Sequence, residues 1–184
     1  MSDSCYAKVN QDKSGPALAH AISCTDFTYR ILARELVPDD KLQIQNVLIS
    51  LCLKKCQVVL TTGGTGFSKR DVTPEATRAV IEREAPGIIY TMIARSLNVT
   101  EMAMLSRAVC GIRESTLIIN LPGSSHGAVQ CFGFVKSVIP HAVDLICGKE
   151  SDVRKVHGDH GGAQNSSSIC TCSSTGSHVT GNTI

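Results

Sequence analysis

The sequence contains few of the residues that build surfaces for nucleic acids or membranes. It has no tryptophan and only 4% aromatic residues among 184, so a surface on which bases stack is not expected. Its 18 lysines and arginines nearly balance 16 aspartates and glutamates, which predicts no attraction to nucleic acid. No uninterrupted apolar run approaches the ~18 residues of a membrane span, and the polar start Met1–Cys5 does not resemble a signal peptide. We therefore expect a cytoplasmic protein without a transmembrane segment.

The nine cysteines follow no regular spacing. An odd number without framework spacing argues against a disulfide scaffold. Several lie in apolar stretches, where a free thiol behaves as a small hydrophobic side chain. Histidines and cysteines near the carboxyl terminus match neither of the paired spacings of a zinc site, so zinc binding there is the less favoured alternative. We expect reduced cysteines.

Composition divides the chain near residue 150. Residues 151–184 are rich in serine and glycine and carry almost no aliphatic side chains, which is typical of a disordered tail or linker. Residues 1–150 hold the apolar runs from which a core is built. The sequence predicts one domain over 1–150, followed by a tail.

Three runs in the first part have the composition of strands. Residues 57–62 and 116–121 are apolar, rich in β-branched residues and closed by glycine-containing turns, as buried strands are. Residues 27–32 are a third candidate. Helices are expected between these runs, and their alternation with strands predicts an α/β domain whose mostly parallel sheet has helices on both faces.

Local signals place four helical segments. Thr73 is the expected cap of a helix with Pro74 in its first turn, and one of the two aspartates at 39–40 is the expected cap of another. Pro140 is expected to bend or divide the last segment. The predicted segments are residues 41–53, residue 73 to just before residue 86, a segment from near residue 88, and a long segment from about residue 127.

Two glycine-containing loops follow the two buried strands. The first comprises Thr62, Gly63, Gly64, Thr65 and Gly66. Backbone N–H groups in such a loop converge on an anion, because glycine lets the chain turn tightly. It is not a P-loop, since no Gly-Lys-Ser/Thr follows.

The second loop comprises Pro122, Gly123 and Ser124, and it meets a helix start. Each loop alone is consistent with an ordinary tight turn. Two loops at the carboxyl ends of parallel strands favour a ligand that carries phosphate, because open α/β sheets bind ligands there.

Carboxylates flank the first loop. Asp71 follows it closely, and a carboxylate beside bound phosphate is repelled unless a cation such as Mg²⁺ bridges the two. An ordinary turn aspartate is the alternative. Asp39 is a second acid that faces the same crevice, unless it caps the following helix.

The chain resembles the molybdopterin adenylyltransferase domain family, which includes MogA and the gephyrin G domain, and is closest to the animal gephyrin-like branch. The longer matching stretches are TTGGTGFSKRDVTPEATRAVIEREAPG at 61–87, LNVTEMAMLSRAVCGIRESTLIINLPGSSHGAVQCF at 97–132 and PHAVDLI at 140–146. Shorter matches are SDSC at 2–5, DKSGP at 12–16 and VPDD at 37–40.

That resemblance implies a three-layer α/β/α sandwich that forms homotrimers. It implies transfer of AMP from ATP, with Mg²⁺, to molybdopterin, which yields adenylated molybdopterin and pyrophosphate for a downstream molybdenum-insertion (E-type) domain. By family match, Asp71 and Asp39 are the catalytic acids. The loops 62–66 and 122–124 hold the substrates, and Ser14 and Gly15 of the DKSGP turn are further substrate-binding candidates.

The chain departs from the family pattern at its start. Family members carry an apolar strand before the SDSC-like motif, where this sequence has only Met1. The resemblance therefore implies a domain without its expected first strand, as in a start-site variant or a damaged gene model that folds poorly. The alternative function is a non-catalytic, truncated variant that acts as a pterin-binding or scaffold module.

Overall fold

The computed structural model describes residues 1–6 and 12–148. The α-helices of these ranges are α1 Asp3–Tyr6, α2 Ser14–Ser23, α3 Lys41–Leu53, α4 Thr73–Arg78, α5 Pro86–Leu97, α6 Ser125–Val135 and α7 Ile139–Ile146. The strands are β1 Val58–Thr62, β2 Arg83–Glu84, β3 Cys110–Arg113 and β4 Thr116–Leu121. Short 3₁₀ helices occupy Glu101–Leu105 and Lys136–Val138. The predicted tail, 151–184, lies outside the described residues.

The four strands form one mixed sheet in the order β1-β4-β3-β2. β1 and β4 run parallel, with Thr62 opposite Leu121, while β3 is antiparallel to both β4 and β2. The expectation of a mostly parallel sheet is wrong. β3 and β4 form a hairpin through a two-residue connection, which antiparallel neighbours allow and parallel ones do not. Glu114 in that connection has a positive φ of 48°, a conformation for which a glutamate gives no sequence signal.

Helices cover both faces of the sheet, which confirms the three-layer architecture. On one face Leu117 and Ile119 pack with Phe132 of α6 and with buried residues of α2, α5 and α7. On the other face Ile118 packs with Ile44 and Leu48 of α3. Successive side chains of β4 lie in the two cores on opposite faces of the sheet, because side chains alternate along a strand. β4 is buried along its whole length and forms the centre of the domain.

Several predicted elements are confirmed. α3 occupies Lys41–Leu53, and Asp40 caps it by accepting a hydrogen bond from the Gln43 N–H at 2.8 Å. Ser124 caps α6 by accepting from the Gly127 N–H at 3.1 Å. The long last segment is divided as expected. A 3₁₀ turn precedes α7, and Pro140 lies in the first turn of that helix.

Two local predictions are wrong. Thr73 does not cap α4, because it is already the first helical residue and Val72 stands in the capping position. The Thr73 N–H donates to the Gly64 carbonyl at 3.1 Å. The helix ends at Arg78 and not near residue 86, since the chain leaves it to form β2. α5 accordingly begins at Pro86, two residues before its predicted start.

Residues 27–32 do not form the predicted strand. They carry no regular secondary structure, and Tyr29, Ile31 and Leu32 are each more than two-fifths exposed. A strand requires a neighbour for its backbone groups. Within the described ranges no backbone hydrogen bond joins 27–32 to another segment.

One described helical run, Ser125–Ile146, is long and apolar enough by composition to cross a membrane. Core helices of soluble proteins have the same length and composition, so this run alone is weak evidence of a membrane span. Here Phe132, Val135 and Ile139 are buried against the sheet.

Candidate functional site

The two predicted loops meet at neighbouring strand ends. The Gly63 N–H donates to the Leu121 carbonyl at 3.2 Å, which extends the β1–β4 pairing into the first loop. A Cβ added to Gly123 would lie 3.2 Å from the Gly63 Cα atom. The loops therefore pack backbone against backbone, as their placement after parallel strands predicts.

The backbone conformation and the close neighbours of residue 64 both require glycine there. Its φ of +63° is one that residues with a Cβ rarely adopt. A Cβ there would lie 2.4 Å from the Thr73 Oγ1 atom and 3.3 Å from Asp39 Oδ1. The first loop thus approaches the start of α4 and the Asp39 carboxylate at a distance that excludes any side chain.

The start of α2 joins the second loop. The Asp12 carboxylate accepts hydrogen bonds from the Ser14 and Gly15 N–H groups, both at 3.0 Å. The Ser14 hydroxyl donates to the Gly123 carbonyl at 2.7 Å. Ser14 and Gly15, remote in sequence, therefore stand beside the second loop.

Asp71 acts electrostatically on Asp39. Burial raises the pKa of Asp39, the Met1 ammonium opposes the rise and the negative charge of Asp71 adds to it. Asp71 Oδ2 accepts from the Ser68 N–H at 2.9 Å and lies 3.0 Å from where a Gly66 Cβ would stand. Two carboxylates thus face the first loop from different sides, Asp39 near Gly64 and Asp71 near Gly66.

Most of the predicted site residues line one cavity of about 1690 Å³. Residues at its wall include Thr62, Gly63, Gly64, Asp39, Asp71, Gly123, Ser124, Ser14 and Gly15. Thr65, Gly66 and Pro122 do not line it. Within the described part of the chain no cluster of three or more His, Cys, Asp or Glu residues is arranged to hold a metal ion.

Arg107 is a residue that the sequence analysis did not identify. Its guanidinium donates to the Gly66 carbonyl at 2.7 Å and the Asp71 carbonyl at 2.6 Å, and it pairs with Glu75. Burial alone would raise the pKa of Glu75, but hydrogen bonds and the Arg107 charge hold it below its ordinary value. Arg107 therefore fixes both ends of the 66–71 loop to α4. Its contacts join segments that are remote in sequence, so no local signal marks it.

The amino group of Met1 also lies at the site. It donates to the Thr62 carbonyl, and the Met1 carbonyl oxygen would lie 2.3 Å from a Cβ at Gly63. Burial lowers the pKa of this ammonium, while Asp39 and Asp12 raise it. The chain start is thus packed against the first loop, which the sequence did not indicate.

Comparison with known proteins adds independent information. Residues 1–141 match the family described as "Probable molybdopterin binding domain". The molybdenum cofactor synthesis protein cinnamon of Drosophila melanogaster is 42% identical over 171 residues, which cover 92% of this chain and 28% of that protein. The molybdopterin adenylyltransferase of Helicobacter pylori strain J99 is 39% identical over 155 residues, 84% of this chain and 88% of the enzyme.

Solved structures agree with this grouping. The molybdopterin biosynthesis enzyme MoaB from Thermus thermophilus matches with a TM-score of 0.74 and 41% identity, covering 80% of this chain and 92% of MoaB. A MogA structure matches with a TM-score of 0.73 and 34% identity, over 79% of this chain and 94% of MogA.

The matched relatives differ greatly in length. The chain spans only 28% of cinnamon and 22% of the gephyrin of Dictyostelium discoideum, whereas it spans most of the bacterial enzyme. The family match covers the sheet and both loops that meet at the cavity. The chain belongs to the probable molybdopterin binding domain family.

Proposed function

We propose that the chain transfers AMP from ATP to the terminal phosphate of molybdopterin in molybdenum cofactor biosynthesis. In this reaction a phosphate oxygen of molybdopterin bonds to the α-phosphorus of ATP, the bond to the β-phosphate breaks, and pyrophosphate leaves. The observation that carries the proposal is the meeting of two glycine loops beside Asp39 and Asp71, in a chain about 40% identical to enzymes named molybdopterin adenylyltransferase.

The loops suit two ligands that carry phosphate. Backbone N–H groups of the two loops are the donors, apart from Gly63, whose N–H bonds to Leu121, and Pro122, which has none. The start of α6 adds the positive end of its dipole. Nucleotidyl transfer needs chiefly positioning and charge stabilisation from a protein. Both requirements are served by rigid loops, and the Arg107 bonds provide that rigidity for the first of them.

The two carboxylates fit Mg²⁺ as a companion of the nucleotide. The negative charge of Asp71 helps to raise the pKa of Asp39, so a cation between them relieves a repulsion that the fold imposes. Mg²⁺ is commonly bound by one or two carboxylates together with substrate phosphates. Asp39 and Asp71 would hold it, and it would neutralise charge that develops on the phosphates.

Replacement of Asp71 by asparagine tests this assignment. Asp71→Asn is expected to lower adenylyl transfer at least ~100-fold, the size typical of losing one electrostatic contribution to a transition state, while molybdopterin binding stays within about threefold. Asp40→Asn is the matched control, because asparagine caps helices as well as aspartate does and Asp40 caps α3. Titration of molybdopterin fluorescence and the transfer assay separate the two effects. Unchanged turnover in Asp71→Asn would remove Asp71 from the mechanism.

A homotrimer, a cytoplasmic location and a downstream E-type domain complete the proposal. α5 and the residues that follow it expose several apolar side chains, which supports self-association, since larger exposed apolar surfaces mark interfaces; they include Tyr90, Leu97, Val99, Met102, Met104 and Leu105. Light scattering is expected to give three times the mass of one chain. A longer parent protein is suggested by the length of cinnamon and gephyrin.

A further inference from the structure

The side-chain hydroxyl of Thr73 is a buried polar group that the fold does not use. Thr73 is fully buried, and among the described residues its Oγ1 atom has no hydrogen-bond partner. Leaving a buried hydroxyl unpaired lowers the stability of a fold, and such groups are rare enough in native proteins to require a specific explanation. Thr73 therefore carries a donor whose purpose lies outside the folding of the free chain.

Thr77, one turn later in α4, shows the opposite case. It is as fully buried as Thr73, and its hydroxyl accepts a hydrogen bond from the Asn120 amide at 2.9 Å. The hydroxyl of Thr77 thus contributes to the packing of α4 on the sheet. At position 73 valine would supply nearly the same shape without an unpaired group, so packing alone does not account for threonine there.

The Thr73 hydroxyl faces the first loop on the same side as Asp39. Thr73 Oγ1 is the atom nearest to the point where a Gly64 Cβ would stand, and Asp39 Oδ1 lies 3.3 Å from that same point. Because glycine has no Cβ, no side chain of residue 64 separates the two oxygen atoms. Asp39 also lines the cavity that the loops border. A group bound there therefore lies close to the carboxylate and, through it, to the hydroxyl.

We propose that Thr73 is a positioning residue for the transfer reaction: when substrate occupies the cavity, its hydroxyl donates to the Asp39 carboxylate and holds it beside the first loop. The inference rests on the proposed function, in which Asp39 is one of the two acids. A carboxylate accepts several hydrogen bonds, so this one adds to the interactions that Asp39 has in the free chain. Hydrogen bonds at reaction sites are often long in free enzymes and tighten when substrate binds.

Two substitutions at this position separate the hydroxyl from the shape of the side chain. Thr73→Val is expected to raise the melting temperature, because it removes an unpaired buried group, and to lower kcat/KM for transfer about tenfold or more, because a hydrogen bond to a charged group is lost. Thr73→Ser is expected to melt below the wild type, since a buried methyl group is lost, and yet to transfer at nearly the wild-type rate.

Thr77→Val is the matched control, because it makes the same change in the same helix at an equally buried position. There the hydroxyl is paired, so its removal is expected to lower the melting temperature. The two valine variants should thus shift the melting temperature in opposite directions. Thermal melts of the full chain, with and without ATP and Mg²⁺, and steady-state kinetics measure these effects. The stabilisation by ATP with Mg²⁺ is expected to be smaller in Thr73→Val than in Thr73→Ser.

Three outcomes would overturn the inference. One is a Thr73→Val protein that melts below the wild type, because the hydroxyl would then be paired in the free chain. Another is a Thr73→Val protein with wild-type kinetics, and the third is a Thr73→Ser protein as impaired in transfer as Thr73→Val.

Failure of the proposed function is recognised separately, in the wild type. A wild-type chain that forms no adenylated molybdopterin would reject the reaction, and the stabilisation by ATP with Mg²⁺ then decides the inference. Equal stabilisation of Thr73→Val and Thr73→Ser would overturn it, and a smaller effect in Thr73→Val would support it. A wild type that neither transfers AMP nor is stabilised by ATP with Mg²⁺ would overturn both.

Discussion

At the scale of single residues, Asp39 couples the stability of the fold to its chemistry. Burial raises the pKa of this carboxyl and the Asp71 charge adds to the effect, against the Met1 ammonium. A carboxyl whose pKa is higher in the folded than in the unfolded chain destabilises the fold once it ionises. The penalty is absent below the unfolded pKa of about 4 and is complete above the folded pKa.

Asp39→Asn is therefore expected to raise the melting temperature at pH 7 and to lower the transfer rate at least ~100-fold. The gain in melting temperature should shrink towards zero as the pH falls to about 4, where the carboxyl is protonated in both states. Thermal melts of both proteins across this range measure it. A variant that melts lower than the wild type at pH 7 would contradict the assigned environment of Asp39.

Replacement of Arg107 by lysine separates the effect of its positive charge from the effect of its guanidinium geometry. Lysine can keep the pairing with Glu75, but it cannot also reach the two carbonyls of Gly66 and Asp71 in the way a planar fork does. Arg107→Lys is expected to lower kcat/KM for transfer about tenfold or more, as misplaced catalytic groups do. Its melting temperature should change little.

Arg78→Lys is the matched control, since Arg78 pairs with Glu84 in an exposed bridge. Such bridges contribute little to stability, and this one joins α4 to β2, not to the 66–71 loop. Steady-state kinetics on both variants measure the difference. Equal kinetics for Arg107→Lys and the wild type would show that the 66–71 loop does not need this arginine.

At the scale of elements, Asn120 of β4 joins three parts of the domain. Its amide donates to the hydroxyls of Thr61 on β1 at 3.0 Å and Thr77 on α4 at 2.9 Å, and its Oδ1 accepts from the Val109 N–H at 3.1 Å. The side chain is fully buried and fully satisfied. A network of this kind fixes the distance between neighbouring elements.

Asn120→Ala is expected to lower the free energy of unfolding by about 3 kcal/mol, because it leaves buried polar groups without partners and creates a small cavity. Asn98→Ala removes the same amide from the exposed end of α5 and is expected to cost less than about 0.5 kcal/mol. Urea denaturation measures both. Equal stabilities of the two variants would show that the network contributes nothing.

The sequence predicts elements best where local signals and packing agree. β4 was predicted with its exact bounds, as was α3, because an apolar run and a capping aspartate mark them clearly. Thr73 was mispredicted as a cap because α4 begins one residue earlier than the Thr-Pro pair suggests, with Val72 in the capping position. Residues 27–32 have strand composition, but a strand also needs a neighbour, and neighbours are set by tertiary structure.

The candidate site, too, was predicted only where local signals mark its residues. Both loops and their flanking acids were predicted because strand ends collect ligand-binding groups in α/β sheets. The contacts of Ser14 with Gly123 and of Arg107 with the first loop depend on how distant segments pack. Only the resemblance to a known family pointed to Ser14, and nothing in the sequence pointed to Arg107.

At the scale of the whole molecule, the carboxyl ends of β1 and β4 bring the residues of the candidate site together. The parallel pairing of these two strands brings the loops together, while the antiparallel β3 and β2 extend the sheet on the far side. Residues of both loops, with Asp39 and Asp71, line one cavity at these strand ends.

The most direct measurement is adenylyl transfer by the purified chain. Molybdopterin and ATP are incubated with the protein and Mg²⁺, and adenylated molybdopterin is detected by mass spectrometry alongside the pyrophosphate released. The expected result is equal amounts of both products, formed only when both substrates are present. A folded chain that binds molybdopterin yet forms no adenylated product would contradict the proposed reaction and favour the alternative of a pterin-binding module without turnover.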